Sequence, residues 1–270
     1  MRVVGTGFLS NAGLEQAQEI RKHIEPILAL TERAVELCHN GMASVSVPKQ
    51  ETPEEKQRVI ACVVLARLLE ISEAIIHLAR GGFSVDVESN LRNFLDAFFI
   101  FGNVCKDPDF VPEYFHTDLV IRQKIINQAM KHAGAPFIST KEYATDEVRA
   151  QLKEQIADVA ATKMNTYQYA QNVGAAHIYD SMYRITSAAS HSAPRSLSGY
   201  TTEAPTGEIL EIRRGPQIGD IPERVHDVGA LLLNVREVFN DLFGLAEEEE
   251  MTQLRLEFQS IHVSVSADAS

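Results

Sequence analysis

The chain has 270 residues, of which 45% are hydrophobic and 23% are charged, and this composition is typical of a globular protein with a sizeable core. Its formal net charge of −12 argues against a protein whose main task is to coat nucleic acid, although part of the excess lies in one run, 247–250. No stretch approaches the roughly 18 apolar residues of a membrane span, and the start of the chain is too weakly apolar for a signal peptide. We therefore expect a cytoplasmic protein without a membrane partner.

The three cysteines, Cys38, Cys62 and Cys105, are far apart and form no Cys-x-x-Cys pair. This usage is typical of reduced cysteines in a cytoplasmic protein and predicts no zinc site.

Periodic apolar residues and capping signals predict helices along most of the chain. The clearest start is Thr52-Pro53-Glu54-Glu55, which supplies a capping hydroxyl, a proline at the first helical position and a glutamate three residues after the cap. Asn40-Gly41 predicts the end of the helix before it. The predicted helices span 11–39, 53–80, 86–104, 111 or 112 to 131, 146–173, 177–191 and 221–243.

The third predicted helix is nearly all apolar in its second half, yet one polar column runs through it. Glu88, Arg92 and Asp96 are each four residues apart, so they lie along one side of the helix. They either form a charge ladder within the helix or turn a polar face toward a site.

The chain changes character after His191, where prolines, glycines, serines and threonines accumulate up to about residue 220. Residues 208–213 predict a short hairpin arm within a long ordered loop, a kind of segment that is often functional. No alternation of strands and helices is visible. The predicted fold is all-α: a multi-helix bundle over residues 1–246 with a long loop after the sixth helix, and an acidic C-terminal helix or tail over 247–270.

The sixth predicted helix, HIYDSMYRITSAASH, carries the densest cluster of chemically useful side chains. Arg184 and His191 are seven residues apart, nearly two full turns, so both project from one face. Asp180 lies four residues before Arg184 and Ser187 lies three after it, on or near the same stripe.

Two of these regions together resemble a bacterial family of uncharacterised all-helical proteins, held as a domain of unknown function. The first is Leu91-Arg92 with an acid four residues after the arginine, and the second is Y-x3-Y-x3-S-x3-H, formed by Tyr179, Tyr183, Ser187 and His191. The stretches RQKIINQAMK and SAPRSLSGY add to the likeness, which covers about residues 57–242. The sequence departs at Asp96, where a glutamate is expected, so its pairing with Arg92 is an open question.

A looser resemblance is to the HEPN superfamily of helical bundles, many of which are metal-independent ribonucleases of toxins and phage defence. Their signature is an arginine, four to six residues, and a histidine, and Arg184-(ITSAAS)-His191 fits it with six. This resemblance implies an endoribonuclease or nucleotide-binding protein of bacterial defence or stress, without a cofactor.

RNA cleavage without a metal needs a base, an acid and a cation that stabilises the phosphorane. His191 has the side chain for proton transfer at neutral pH, and Arg184 can hold a phosphate through two parallel N–H contacts. Because one bundle offers one such pair, the hypothesis favours a homodimer, with RNA or a nucleotide and not DNA as ligand. The supporting residues are Ser187 and Asp180, Tyr179 and Tyr183 for stacking or packing, Arg92 and Asp96, and for phosphate binding Arg195, Arg213 and Arg214.

The alternative is a non-catalytic helical interaction module whose polar cluster is structural. In that case His191 satisfies carbonyls at a helix end, Arg184 pairs with Asp180, and the tyrosines pack in the core. A di-iron site is disfavoured, because the two Glu-x-x-His motifs, Glu36–His39 and Glu113–His116, lie at helix termini; we predict no metal site.

Overall fold

The structure, a computed structural model, describes residues 2–47, 49–132, 138–161, 164–191, 194–246 and 249–261, except for the side chains of Arg195 and Ser196. Helices dominate it, as the all-α prediction requires. They are α1 (Asn11–Ala43), α2 (Pro53–Arg80), α3 (Ser84–Lys106), α4 (Phe110–Lys131), α5 (Ile138–Tyr143), α6 (Asp146–Asp158), α7 (Thr166–Asn172), α8 (Ala176–Ile178), α9 (Arg184–Ser190), α10 (Pro194–Leu197), α11 (Ile221–Phe243) and α12 (Glu249–Ser260). A π-helical turn, Tyr179–Tyr183, joins α8 to α9, and a 3-10 turn, Ser198–Tyr200, follows α10.

Four long helices, α1, α2, α3 and α11, pack against one another and enclose the hydrophobic core. The apolar second half of α3 lies in the middle of this core, with Phe94 and Phe99 completely buried. Burying one such side chain stabilises the fold by about 1.5–3 kcal/mol before the entropic costs are counted. The apolar second half seen in the sequence of α3 is therefore buried in the core.

The start of α2 is set by the residues that the sequence indicated. The Glu55 amide donates to Thr52 Oγ1 at 3.2 Å, and the Glu55 carboxylate accepts from the Thr52 amide at 3.3 Å. Pro53 occupies the first helical position, where its missing N–H has no helical partner to lose.

The predicted end of α1 at Asn40-Gly41 is wrong, because the helix continues to Ala43. Gly41 lies against the guanidinium of the buried Arg236, and a Cβ at this position would be 1.6 Å from Arg236 Nη1. The glycine gives α11 room to approach α1, which a local stop signal does not reveal.

The predicted helix over 146–173 is two helices in the structure. α6 ends at Asp158, and α7 begins with its own capping box, in which the Gln168 amide donates to Asn165 Oδ1 at 3.0 Å and the Asn165 amide donates to Gln168 Oε1 at 2.8 Å. The segment between the predicted helices that end at 131 and begin at 146 contains the short helix α5.

The hairpin predicted in the long loop is present, formed by β2 (Thr201–Glu203) and β3 (Ile209–Arg213). A third strand, β1 (Arg2–Val4), was not predicted and pairs in parallel with β3, Val3 opposite Ile212. The start of the chain is thereby tied to the loop that follows the sixth predicted helix.

The acidic C-terminal region contains α12, which packs on α1 and α11. Met251, Leu254 and Phe258 are buried, and Arg33 Nη1 lies 2.6 Å from the Glu257 carboxylate. Residues 247–248 and 262–270 lie outside the described residues. Among the described residues, no helix is both long and apolar enough to cross a membrane.

Candidate functional site on the 176–190 helix

The helix over 176–190 carries the predicted cluster, and it is not a uniform α-helix. α8 passes into the π-helical turn Tyr179–Tyr183 before α9 begins at Arg184. The Ser181 hydroxyl donates back to the His177 carbonyl at 2.7 Å, a bond that competes with the backbone ladder. π-Helical turns are rare and occur often at functional positions, so this segment is a candidate functional site.

Tyr179 and Tyr183 form a stacked pair, with ring centroids 4.7 Å apart and planes inclined by 17°. The ring centroid of Phe99 in α3 lies 6.4 Å from that of Tyr179 and 6.2 Å from that of Tyr183. Tyr167 of α7 contacts Tyr179 edge-on, with ring centroids 5.1 Å apart. Aromatic contacts of this kind add about 0.5–1.5 kcal/mol each to the burial of the rings. The two tyrosines therefore fasten the helix to the bundle core.

Arg92 connects α3 to this helix. Its Nη2 atom donates to the Tyr183 hydroxyl at 2.9 Å, and its Nη1 atom lies 3.0 Å from Asp96 Oδ2. The shorter aspartate at position 96 therefore does pair with the arginine.

Thr166 completes the cluster, which we call the Arg92 network (Arg92, Asp96, Thr166 and Tyr183). Thr166 Oγ1 donates to Asp96 Oδ1 at 3.2 Å and accepts from the Tyr183 hydroxyl at 3.5 Å. Burial raises the pKa of Tyr183, so the phenol keeps the proton that it donates. Sequence reasoning missed Thr166, because α7 was predicted to continue α6; the Asn-Thr-Tyr-Gln capping pattern was the signal that could have found it.

Glu88 does not join this network, although the sequence places it in one column with Arg92 and Asp96. It faces Arg224 of α11, with Glu88 Oε1 3.9 Å from Arg224 Nε. Arg224 is only 8% exposed and also lies within 4 Å of carboxylates of Asp220, Glu223 and Asp227. Arg224 is a second buried charge that the sequence analysis missed, because its partners come from two helices.

Burial raises the pKa of Asp227 to about 6, against the opposing effect of Arg224. Four carboxylates share this one guanidinium, so the arginine cannot neutralise all of them.

Arg184 and Asp180 form an ion pair on the solvent side of the helix. Arg184 Nε lies 3.1 Å from Asp180 Oδ1, and the two side chains are 66% and 53% exposed. The Arg184 guanidinium also lies over the Tyr179 ring, 5.7 Å from its centroid. The guanidinium is thus held in place and still open to solvent.

Ser187 and His191 lie further along the same helix. Ser187 is half-buried, and His191 is exposed as the first residue after α9. The imidazole has no hydrogen-bond partner among the residues that the structure describes. Both members of the predicted Arg–His pair are therefore exposed, Arg184 at the start of α9 and His191 directly after its end.

The three arginines predicted to bind phosphate come after this helix. Arg213 is half-buried and its Nη2 atom donates to the Thr201 carbonyl at 2.7 Å, which braces the hairpin. Arg214 is exposed. The side chain of Arg195 lies outside the described part of the chain.

Of three clefts on the described surface, none is lined by Arg184 or His191. The largest, about 990 Å³, lies where the ends of α2, α3, α7 and α11 meet. A cleft of about 580 Å³ between α4 and α7 includes Thr166 and so borders the Arg92 network. The described residues contain no group of three or more His, Cys, Asp or Glu side chains able to hold a metal ion.

These observations define an all-helical bundle protein that has an internal polar network and an exposed Arg–His pair. A model of the family of unknown function DUF5677 matches residues 58–209, more than half of the chain. The protein belongs to this family, and the matched range contains the Arg92 network, Arg184 and His191. No curated protein and no solved structure matches the chain.

Proposed function

We propose that this protein is a HEPN-like, metal-independent endoribonuclease of bacterial defence or stress that acts as a homodimer. The observation that supports the proposal best is the exposure of both Arg184 and His191, seven residues apart on one helical segment. The tyrosine stack beneath Arg184 and the ion pair to Asp180 orient the guanidinium before a ligand arrives.

In the proposed reaction the neutral imidazole of His191 takes the proton of a ribose 2′-OH. The 2′-oxygen attacks the neighbouring phosphorus, the bond from phosphorus to the 5′-oxygen breaks, and that oxygen receives a proton from the protonated His191 of a second copy. The products are a 2′,3′-cyclic phosphate and a 5′-hydroxyl. Arg184 binds the non-bridging phosphate oxygens while charge accumulates on them.

The local charge fits this role better than the net charge does. Arg184 lies on an exposed face, and the exposed Arg214 follows in the loop after the helix. The net charge of −12 is a property of the whole chain and does not describe the surface around these two arginines.

The test is cleavage of single-stranded RNA by the purified protein in the presence of a chelator. We expect His191→Ala to reduce the cleavage rate by about 10²–10⁴-fold and Arg184→Ala by at least about 10²-fold. His177→Ala, an exposed histidine at the start of the same helix, is the matched control for the first variant. Arg21→Ala, which breaks a similarly exposed pair with Glu25 four residues away, is the control for the second.

Absence of cleavage by the wild-type protein, or full cleavage by His191→Ala, would contradict the proposal. The exposed position of His191 also predicts that its removal changes the unfolding free energy by no more than about 0.5 kcal/mol.

One observation favours the second candidate, a non-catalytic interaction module. Arg184 already has a carboxylate partner and an aromatic face within its own helix. If Arg184→Ala and His191→Ala destabilise the fold by several kcal/mol while no RNA is cleaved, the cluster is structural and the second candidate is the better description.

A further inference from the structure

The π-helical turn Tyr179–Tyr183 changes which side chains of its helix lie over one another. The Arg184 amide donates to the Tyr179 carbonyl, five residues back, and this spacing is the one that distinguishes a π-helical turn from an α-helix. In an α-helix the neighbours of a side chain are three and four positions ahead. The wider turn shifts these neighbours by one position, so Arg184 takes the place over Tyr179 that Met182 would have in an α-helix.

The contacts of the Tyr179 ring agree with this shift. The ring stacks on that of Tyr183, and the Arg184 guanidinium lies over it, with Cζ 5.7 Å from the ring centroid. At 3.6 residues per turn, a regular α-helix would turn Arg184 about 140° away from Tyr179 around the helix axis. The contact between the cation and the ring therefore depends on the π-helical turn.

The Tyr179 ring is itself held by two other helices of the bundle. Tyr167 of α7 contacts it edge-on, with ring centroids 5.1 Å apart. Tyr183, on which it stacks, is buried, and its hydroxyl accepts a hydrogen bond from Arg92 of α3 at 2.9 Å. The ring under the exposed guanidinium is thus connected to the buried Arg92 network.

We propose that the π-helical turn positions Arg184, and that Tyr179 is a positioning residue for this phosphate-binding cation. The face of the tyrosine ring attracts the guanidinium and limits the directions in which a long side chain points. The ion pair with Asp180 is exposed and adds a weaker restraint. A guanidinium that is already restrained loses less conformational entropy when a phosphate binds.

This inference deepens the proposed function and rests on it, because the position of Arg184 affects cleavage only if Arg184 binds the phosphate. It also decides between the two roles predicted for Tyr179, stacking on a ligand and packing. The ring already contacts Tyr183, Tyr167 and the Arg184 guanidinium, so it serves the cation and not a base of the RNA. Substitution of Tyr179 should therefore leave any preference for one base over another unchanged.

The position of Arg184 is measured by proton–nitrogen correlation NMR of the arginine Nε–Hε groups in the isotope-labelled full chain, without RNA. Arg184→Ala assigns the signal by removing it. A proton over the face of an aromatic ring is shifted upfield, so Tyr179→Leu should move the signal downfield, and Tyr179→Phe, which keeps the ring, should leave it in place. Tyr167→Leu is the matched control, since it removes another half-buried ring of the same aromatic cluster.

The consequence for catalysis is measured by a double-mutant cycle on RNA cleavage. Tyr179→Leu should reduce the cleavage rate about two- to fivefold, the factor that corresponds to an exposed cation–π contact, and Tyr179→Phe should retain the wild-type rate. In the Arg184→Ala background, Tyr179→Leu should have no further effect, because Tyr179 acts through Arg184. A purely structural residue would lower the rate by the same factor in both backgrounds.

An Arg184 signal that does not move in Tyr179→Leu, or equal losses of rate in both backgrounds, would overturn this proposal. A wild type that cleaves no RNA would overturn the proposed function, and the NMR signal would still decide whether Tyr179 positions Arg184. Circular dichroism melting shows whether each variant is folded. If Tyr179→Leu is unfolded, Tyr179→Met takes its place, because a flexible methionine fills irregular space without a ring.

Discussion

Arg92 and Arg184 have the same local surroundings and different positions in the fold. Each pairs with an aspartate four residues away on its own helix, and each guanidinium lies over a tyrosine ring, at 5.3 Å and 5.7 Å from the centroid. The Arg92 side chain is 25% exposed and also binds Tyr183 of a neighbouring helix, whereas Arg184 is 66% exposed and contacts its own helix. An arginine that pairs with a carboxylate four residues away can therefore either connect two helices or remain exposed on the surface.

The largest effect in this comparison is expected from Arg92→Ala, which should lower the unfolding free energy by about 2 kcal/mol. The substitution leaves Asp96 without its cation and the Tyr183 hydroxyl without its donor in a partly buried place. Arg184→Ala is the matched variant and should cost no more than about 0.5 kcal/mol, because its ion pair is exposed. Urea denaturation of both variants measures the difference, and equal losses would show that the two arginines play the same part.

A smaller, pH-dependent effect is expected at Arg224, the third arginine of the comparison and the most buried of them. Since burial raises the pKa of Asp227 to about 6, the folded protein holds this proton up to a higher pH than the unfolded chain does. The contribution of the protonated carboxyl to stability is fully present below pH 3.8 and is lost as the pH rises through about 6.

Asp227→Asn removes this titration. When the pH is raised from 5 to 8, the unfolding free energy of the variant should therefore rise by about 1–1.5 kcal/mol relative to that of the wild type, at about 1.36 kcal/mol per pKa unit. Denaturation curves at both pH values test this, with Asp118→Asn as the control at an exposed pair. A difference between variant and wild type that does not change with pH would contradict the assignment.

The smallest effect concerns the two stacked tyrosines. Tyr183→Phe removes a hydroxyl that accepts from Arg92 and donates to Thr166, and we expect a loss of about 1 kcal/mol. Tyr179→Phe keeps the stack and should cost less than half as much. Thermal unfolding followed by calorimetry compares the two variants, and the reverse order would show that the Arg92 network does not depend on Tyr183.

Local signals in the sequence predicted much of the fold correctly. The capping box at Thr52 begins α2 where expected, and the apolar second half of α3 is buried. The hairpin and the all-α class are confirmed, as is the membership in a family of unknown function. Each of these depends on residues that are close together in the chain or on a pattern repeated along it, and such signals survive without coordinates.

The errors have a common physical cause. Gly41 was predicted to end α1, although it is the position where Arg236 of α11 packs against α1. Thr166 was absent from the predicted site because its two partners, Asp96 and Tyr183, belong to other elements. β1 was missed because a strand of three residues carries little pattern, and its partner lies more than 200 residues away.

The sequence by itself determined where most helices begin, which of them is most apolar, and which side chains on the 176–190 helix are chemically useful, because these depend on neighbours within a few turns. Only the tertiary structure decided that Arg92 is tied to a neighbouring helix and Arg184 is open to solvent, and that Glu88 belongs to Arg224. The burial and the pairing of a side chain depend on which helices pack against each other. That packing is determined by core residues that are far apart in the sequence.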